Sequence, residues 1–99
     1  MNIKKFISNG NPVIKVSGKL DITNSSEFRA IIDELEPNNC RNLSIDFTEL
    51  QYISSSGIRQ LLRLNLKLDY KITIYISSET IKDFFSITGL DLIFNIIEK

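Results

Sequence analysis

Three consecutive serines, Ser54, Ser55 and Ser56, are the residues of this sequence best placed to do chemistry. They stand between Ile53 and Gly57, directly before a stretch that is predicted to form an amphipathic helix. At the start of a helix, the first backbone N–H groups have no intrahelical partner. Adjacent hydroxyls at such a place can cap the helix, supply a nucleophile, or accept a phosphoryl group from another protein.

The remaining composition argues against a serine nucleophile. The sequence has no histidine and a single cysteine, Cys40. Ser-His-Asp and Cys-His activation are therefore impossible within this chain, and so are histidine metal sites. No glycine-rich phosphate loop of the Walker or Rossmann kind is present. We therefore predict a protein that is not an enzyme and that holds no cofactor and no metal.

Length and charge indicate the kind of partner. The 99 residues correspond to one small domain, 1–99, and 12 basic residues balance 12 acidic ones. This balance gives no electrostatic reason to expect a nucleic acid or an anionic membrane as the main partner. No apolar run approaches the ~20 residues of a membrane-spanning helix, so we expect no membrane insertion. The lone Cys40 and the absence of a signal-peptide core at the start favour the cytoplasm.

The pattern of apolar residues predicts the order β-β-α-β-α-β-α, followed by one terminal element. The first two strands, "NIKKFIS" and "NPVIKVSGKL", are joined by "NGN", which is typical of a hairpin turn. Helix one is predicted to begin at Asn24 as N-cap, with Glu27 completing a capping box. "NLSIDF" and "KITIYIS" are the next two strands, and a helix from about Ser56 to Asp69 lies between them.

The third helix is predicted within "SETIKDFFSIT", with Ser78 as its cap and Gly89 at its end. The terminal stretch "DLIFNIIEK" fits either a strand or a short helix. Apolar and polar residues alternate in the later strands, which indicates a sheet with one well-buried face. The predicted fold class is therefore α/β: a small mixed, mostly parallel sheet of four to five strands with helices packed mainly on one face.

Three segments together resemble the STAS domain, the family of anti-sigma-factor antagonists. The family signature has a strand ending in Asp–apolar–Ser/Thr, a short loop to an apolar pair, and then Asp-Ser-Ser/Thr-Gly opening a helix. "SIDFTELQYISSSGIRQLL" is similar to it through Asp46-Phe47-Thr48, Tyr52-Ile53 and Ser55-Ser56-Gly57. "SGKLDITNSSEF" and "IKDFFSITGLDLIFNI" resemble two further family segments, so the likeness covers nearly the whole chain in order.

The resemblance implies a switch at the serine run. In antagonists of this family, a partner that is both anti-sigma factor and serine/threonine kinase, a GHKL-type ATPase, phosphorylates the serine after the family Asp. By position that serine is Ser55, with Ser54 and Ser56 as alternates. The chain departs from the family where Ser54 replaces the Asp. We also expect either Ser55 or Ser56 to cap the second helix.

The same resemblance, together with helical spacing, gives a set of expected partner-binding residues. Asp21 corresponds to an acidic residue near the phosphorylation loop, although an Asx turn would explain it as well. Arg59, Arg63 and Lys67 share one helix face, which is more simply a solvated face. Gly57 can serve close packing of the helix start, kinase access, or both. The full set is Asp21, Asn24, Ile53, Ser54, Ser56, Gly57, Ile58, Arg59, Leu62 and Arg63.

Two functions remain open at this point. The first is a bacterial anti-sigma-factor antagonist, monomeric or weakly dimeric. Phosphorylation of Ser55 would prevent it from binding its anti-sigma factor. The second is a STAS scaffold subunit that works without phosphorylation, for example on the ATPase of an ABC-type lipid transporter or in a signalling complex. The loss of the family Asp at Ser54 is the feature that favours the second.

Overall fold

The computed structural model describes residues 2–34, 42–68 and 71–99. Cys40 and the predicted end of the second helix at Asp69 lie outside these residues. The elements are β1 (Asn2–Ser8), β2 (Asn11–Leu20), α1 (Ser25–Glu34), β3 (Ser44–Ile53), α2 (Ser55–Lys67), β4 (Thr73–Ile76), α3 (Glu79–Ile87), a short 3-10 helix (Leu90–Leu92) and β5 (Asn95–Glu98). The terminal stretch thus contains both of the predicted alternatives, a helical turn and then a strand.

The strands form one mixed sheet in the order β1-β2-β3-β4-β5. β1 pairs with β2 antiparallel, and the other neighbouring pairs are parallel. Asn9 and Gly10 both have positive φ, 53° and 81°, which is the geometry of a two-residue type I′ hairpin turn. The predicted fold class is confirmed, with five strands and three α-helices in the described part of the chain.

The core lies on one face of the sheet. Ile14, Ile45 and Ile74 are fully buried in neighbouring strands, and Phe28 of α1 and Phe85 of α3 are buried in the same cluster. Side chains that alternate with them, such as Lys15, Asp46 and Tyr75, point to the other face and are only half-buried. The sheet therefore has a helix-covered face and an open, more polar face, as the alternation predicted.

β3 is longer than the sequence suggested, because it runs unbroken to Ile53. The expected loop after Thr48 is absent. Two register shifts between β2 and β3 each add one residue on the β3 side, as in a β-bulge. Buried residues after Phe47 are spaced by three, at Leu50 and Ile53, instead of by two. The bulges thus keep these side chains facing the core where strict alternation would turn them outward.

Caps at the helix ends agree with the sequence only in part. The Ser78 hydroxyl accepts a hydrogen bond from the Ile81 N–H at the start of α3, and Gly89 has φ 77° beyond its end, both as predicted. The prediction of a capping box at α1 was wrong. The Asn24 side chain turns back towards β2, and its Oδ1 accepts a hydrogen bond from the Asp21 N–H at 2.8 Å. The amide thereby pairs the Asp21 N–H, while the N–H groups of Thr23, Asn24 and Ser25 donate to Asp21.

Gly57, in the first turn of α2, lies directly against the end of β2. A Cβ at this position would be 2.9 Å from Cγ of Leu20 and 3.1 Å from Cγ1 of Ile53. Leu20 is fully buried, so its branch point has little room to move. The predicted close approach of the helix start to the neighbouring strand is therefore present.

We expect Gly57→Ala to lower the free energy of unfolding by about 1–3 kcal/mol, because overpacking a filled core costs this much. Chemical denaturation measures it, with Leu66→Ala as the control in the same helix. Leu66 is 86% exposed, and its truncation should change stability by less than about 0.5 kcal/mol. A Gly57→Ala protein as stable as wild type would show that the contact is loose.

Candidate functional site

The serine run forms the junction between β3 and α2, and its three hydroxyls have different surroundings. Ser54 is the N-cap of α2: its backbone is extended, and its Oγ accepts from the Gly57 N–H at 3.4 Å. The Oγ atoms of Ser54 and Ser56 are 2.9 Å apart and share a hydrogen bond, and both residues are half-buried. The expectation that Ser55 or Ser56 caps the helix was wrong, because α2 begins one residue earlier than its apolar pattern indicated.

Ser55 is the exposed serine of the three. It occupies the first helical position of α2, and among residues 2–34, 42–68 and 71–99 its hydroxyl has no hydrogen-bond partner. A helix N-terminus carries unpaired N–H groups and a partial positive charge. Anionic groups are therefore stabilised close to this hydroxyl.

A backbone hydrogen bond ties the serine run to the end of β2. The Ser54 N–H donates to the Leu20 carbonyl at 2.8 Å, and Leu20 and Ile53 are register partners. The β2–α1 loop, which begins at Asp21, therefore lies beside the β3–α2 junction. This is the juxtaposition that the sequence could only suggest.

Asp21 forms an Asx-type turn within its own loop. Its Oδ1 accepts from the Thr23 N–H at 2.9 Å and from the Thr23 hydroxyl at 2.6 Å. These hydrogen bonds, that of the hydroxyl most of all, hold the pKa of the Asp21 carboxyl below its usual value. The Asn24 Nδ2 donates to the Lys19 carbonyl at 2.8 Å and braces the same loop. Asp21 therefore presents a charged carboxylate at neutral pH from a fixed loop.

The other expected partner-binding residues separate into exposed and buried ones. Ile53 and Ile58 are 5% and 9% exposed and belong to the core, and Gly57 is buried between them. Arg59 is exposed, and Leu62 is half-buried against the core. The buried residues can support a binding surface from below, whereas direct contact requires the exposed ones.

An acidic residue on α1 forms ion pairs with two of the three basic residues on this face of α2. Asp33 lies 3.6 Å from Arg63 and 3.4 Å from Lys67, and these pairs join the two helices. They are half-exposed, so their effect on stability is small. Arg59, one turn closer to the serines, has no ion pair within the part of the chain that the structure describes. Arg59 is thus the cation of this face that stays available beside Ser55.

A shallow apolar groove beside the serine run was missed by the sequence analysis. Its volume is about 290 Å³, and it is lined by Gln51, Tyr52, Ile53, Ser54, Ser55, Thr80, Ile81 and Phe84. Tyr52 is 50% exposed at its rim. The groove brings the β3–α2 junction next to α3, which lies more than twenty residues further along the chain. Phe84 has the helical spacing of a buried residue, like Ile81 and Phe85, so its partial exposure in the groove could not be predicted from the sequence.

The described ranges 2–34, 42–68 and 71–99 contain neither a cluster of metal-ligating side chains nor a membrane-spanning helix. No group of three His, Cys, Asp or Glu side chains there could hold a metal ion. No helix within them is long and apolar enough to cross a membrane.

Solved structures share this fold at low sequence identity. An anti-sigma factor antagonist from Mycobacterium paratuberculosis matches with a TM-score of 0.88 and 21% identity over 96% of this chain and 83% of that one. The Bacillus cell fate determinant SpoIIAA in its phosphorylated form matches with a TM-score of 0.74 and 19% identity over 99% and 91% of the two chains. No curated protein matches the sequence.

The family comparison covers almost the whole chain. The model of the STAS domain matches residues 2–99, which include the Asp21 loop, the serine run and the apolar C-terminal stretch. The mixed five-stranded sheet and the three helices agree with this match. The chain belongs to the STAS domain family.

Proposed function

We propose that this protein is an anti-sigma-factor antagonist of bacterial transcription control. In its unmodified form it binds an anti-sigma factor that is also a serine kinase of the GHKL ATPase type, and phosphorylation of Ser55 weakens that complex. It acts by binding and is not itself an enzyme. The observation that carries the proposal is the exposure of the Ser55 hydroxyl at the first position of α2, while Ser54 and Ser56 are hydrogen-bonded to each other.

The environment of each hydroxyl supports Ser55 over its neighbours as the acceptor. A kinase must bring its own groups within hydrogen-bonding distance of the attacking hydroxyl. Phosphorylation of Ser54 would alter the hydroxyl that caps α2, and phosphorylation of Ser54 or Ser56 would alter the hydrogen bond that their hydroxyls share. Ser55 can accept a phosphoryl group without loss of either interaction.

The change in charge explains why phosphorylation would weaken binding. A phosphate at Ser55 adds about −1.5 to −2 charges and three strong acceptors. The N-terminus of α2 stabilises it in the free protein, where the first N–H groups are unpaired. In a complex, the same charge would have to be desolvated beside the carboxylate of the Asp21 loop, which is costly without a new cationic partner.

The proposed contact surface consists of the exposed and half-exposed residues around Ser55. These are Asp21, Asn24, Ser54, Ser56, Arg59, Leu62 and Arg63, while Ile53, Gly57 and Ile58 hold the surface from the core. Fold relatives support the assignment: one is an anti-sigma factor antagonist, and SpoIIAA has a phosphorylated form. Because the sequence identities are near 20%, this support comes from similarity of fold and not of sequence.

We expect Ser55→Asp to weaken the complex at least about tenfold, because a buried, unpaired charge at an interface costs about 2–5 kcal/mol. The partner is first recovered on immobilised wild-type protein from host lysate and identified by mass spectrometry. Its affinity for wild type, Ser55→Asp and the uncharged, equally large Ser55→Asn is then measured with the purified proteins.

Three outcomes are distinct. Weak binding by Ser55→Asp together with near-normal binding by Ser55→Asn supports a charge-based switch. Equal weakening by both variants would mean that bulk at Ser55 matters and charge does not, contrary to the proposal. A transporter ATPase bound equally by all three proteins would identify the chain as a phosphorylation-independent scaffold.

We also expect phosphorylation by the purified kinase partner to occur on the tryptic peptide 42–59, at Ser55. Ser55→Ala should abolish incorporation of phosphate, because the hydroxyls of its neighbours are engaged with each other. Tandem mass spectrometry locates the modified residue. Phosphate on Ser54 or Ser56 in the wild-type protein would contradict the proposed role of Ser55.

Ser54 fills the structural place of the family Asp, and we expect the two residues to be interchangeable as caps. Ser54→Ala should lower the free energy of unfolding by about 1 kcal/mol, whereas Ser54→Asp should retain it or raise it by about 0.3–1 kcal/mol. Thermal and chemical denaturation measure both, with exposed Ser26→Ala in α1 as the control. A destabilised Ser54→Asp protein would show that the serine pair, and not the cap, stabilises this junction.

A further inference from the structure

We infer that the open face of the sheet carries a binding site for a small zwitterion, namely a free α-amino acid with an apolar side chain. The site is a cavity of about 230 Å³ on the face opposite the helices. Phe6, Val13, Ser44, Asp46, Tyr75 and Lys99 are among its lining residues, and they come from four strands and the residue after β5. The site is separate from the serine run and does not rest on the proposed function.

Among the described residues, Asp46 brings into this cavity a carboxylate that forms no ion pair, although Lys15 on β2 attracts it electrostatically. Its Oδ1 accepts from the Thr48 N–H at 2.9 Å and from the Thr48 hydroxyl at 2.6 Å, which fixes the side chain. Lys15 is its cross-strand partner on β2, yet the Lys15 Nζ turns to Glu49 at 2.7 Å. Among residues 2–34, 42–68 and 71–99, no cation lies within 4.0 Å of the Asp46 carboxylate.

Lys99 brings a positive charge to the other side of the same cavity. Its Nζ lies 4.3 Å from the centre of the Tyr75 ring, a cation–π distance, and it has no carboxylate partner in the described part of the chain. Tyr75 is the register partner of Asp46 across β3 and β4. A carboxylate and an ammonium group, neither of them in an ion pair with another described residue, therefore lie on either side of one aromatic ring.

The remaining lining has a polar part, formed by Ser8, Asn9, Asn11 and Ser44, and an apolar part. Phe6 and Val13 are cross-strand partners on β1 and β2, and they form an apolar wall on the same open face. Phe6 is 45% exposed, so part of this wall is uncovered. An α-ammonium group fits Asp46, an α-carboxylate fits Lys99, and an apolar side chain fits the wall.

Size and charge disfavour drug-sized, doubly charged and neutral apolar ligands. Sites for drug-sized ligands are about 300–1,000 Å³, so a cavity of about 230 Å³ holds a smaller metabolite. A dication would face Lys99 and a dianion would face Asp46, and each would bring like charges together. A neutral apolar molecule would leave both charges of the site desolvated and unpaired.

The experiment is a titration of the full chain with L-phenylalanine. Binding is monitored through the NMR signals of Tyr75, Val13 and Ile97. Phenethylamine lacks the carboxylate and 3-phenylpropionate lacks the ammonium group, so the two are matched single-charge probes. We expect saturable shifts with L-phenylalanine and at least about tenfold weaker binding of each analogue, since hydrogen bonds to charged groups are the strong ones.

Two variants locate the site. Asp46→Asn keeps an oxygen that can accept from Thr48 and removes only the charge, and Lys99→Gln removes the cation at an exposed position. Each should weaken L-phenylalanine binding at least about tenfold. Lys19→Gln and Asp83→Asn make the same charge changes outside the cavity and should leave affinity unaltered. Circular dichroism of each variant shows that the fold is retained.

Any of three results would overturn the inference. The first is an absence of saturable shifts up to the solubility limit of the amino acid. The second is equal affinity for L-phenylalanine and one of its single-charge analogues. The third is equal binding by wild type and both cavity variants, which would place the ligand elsewhere.

Discussion

The contact between the end of β2 and the start of α2 determines the geometry of the whole candidate site. A hydrogen bond from the Ser54 N–H to the Leu20 carbonyl fixes the junction, and Gly57 allows the helix to lie directly on Leu20. With α2 held at this distance, Ser54 is turned in to cap the helix and Ser55 is turned out to solvent. The same contact brings the Asp21 loop alongside. Without this contact, the serine hydroxyls and the Asp21 carboxylate would have no fixed positions relative to each other.

The three serines divide structural and chemical tasks between them. The hydroxyls of Ser54 and Ser56 hydrogen-bond to each other, and that of Ser54 also accepts from the Gly57 N–H in the first turn of α2. These hydrogen bonds do not involve the Ser55 side chain, so a modification of Ser55 leaves them in place. A modification at Ser55 can then alter charge without altering fold, as the proposed switch requires. On the open face of the sheet, Asp46 and Lys99 show a different arrangement, in which charges are held in place without being paired with each other.

Much of the fold follows from the sequence because its signals are local. The Asn9-Gly10 turn, the alternation of the strands, Ser78 and Gly89 each act within a few residues. One error was local: the Asn24 side chain bonds to Asp21 and Lys19, three and five residues before it, and not to the first turn of the helix. The others arose where distant residues decide, since β3 continues past Thr48 because pairing with β2 supports it. The groove between Tyr52 and Phe84, and the counterion of Lys15, depend on tertiary packing that no local pattern contains.

The two bulges of β3 have a consequence for insertions and deletions. The residues between Phe47 and Ser54 set the phase at which the chain enters α2. A deletion of one residue in this interval would move Ser55 into the capping position and Ser56 into the exposed one, but it would also move Gly57 into the place of Ser56, so the hydrogen bond between two hydroxyls would be lost. Gly57 has no such replacement, because the residue after it is Ile58, whose side chain cannot fit against Leu20. The hydroxyl pair and the packing of Gly57 therefore both fix the length of the strand.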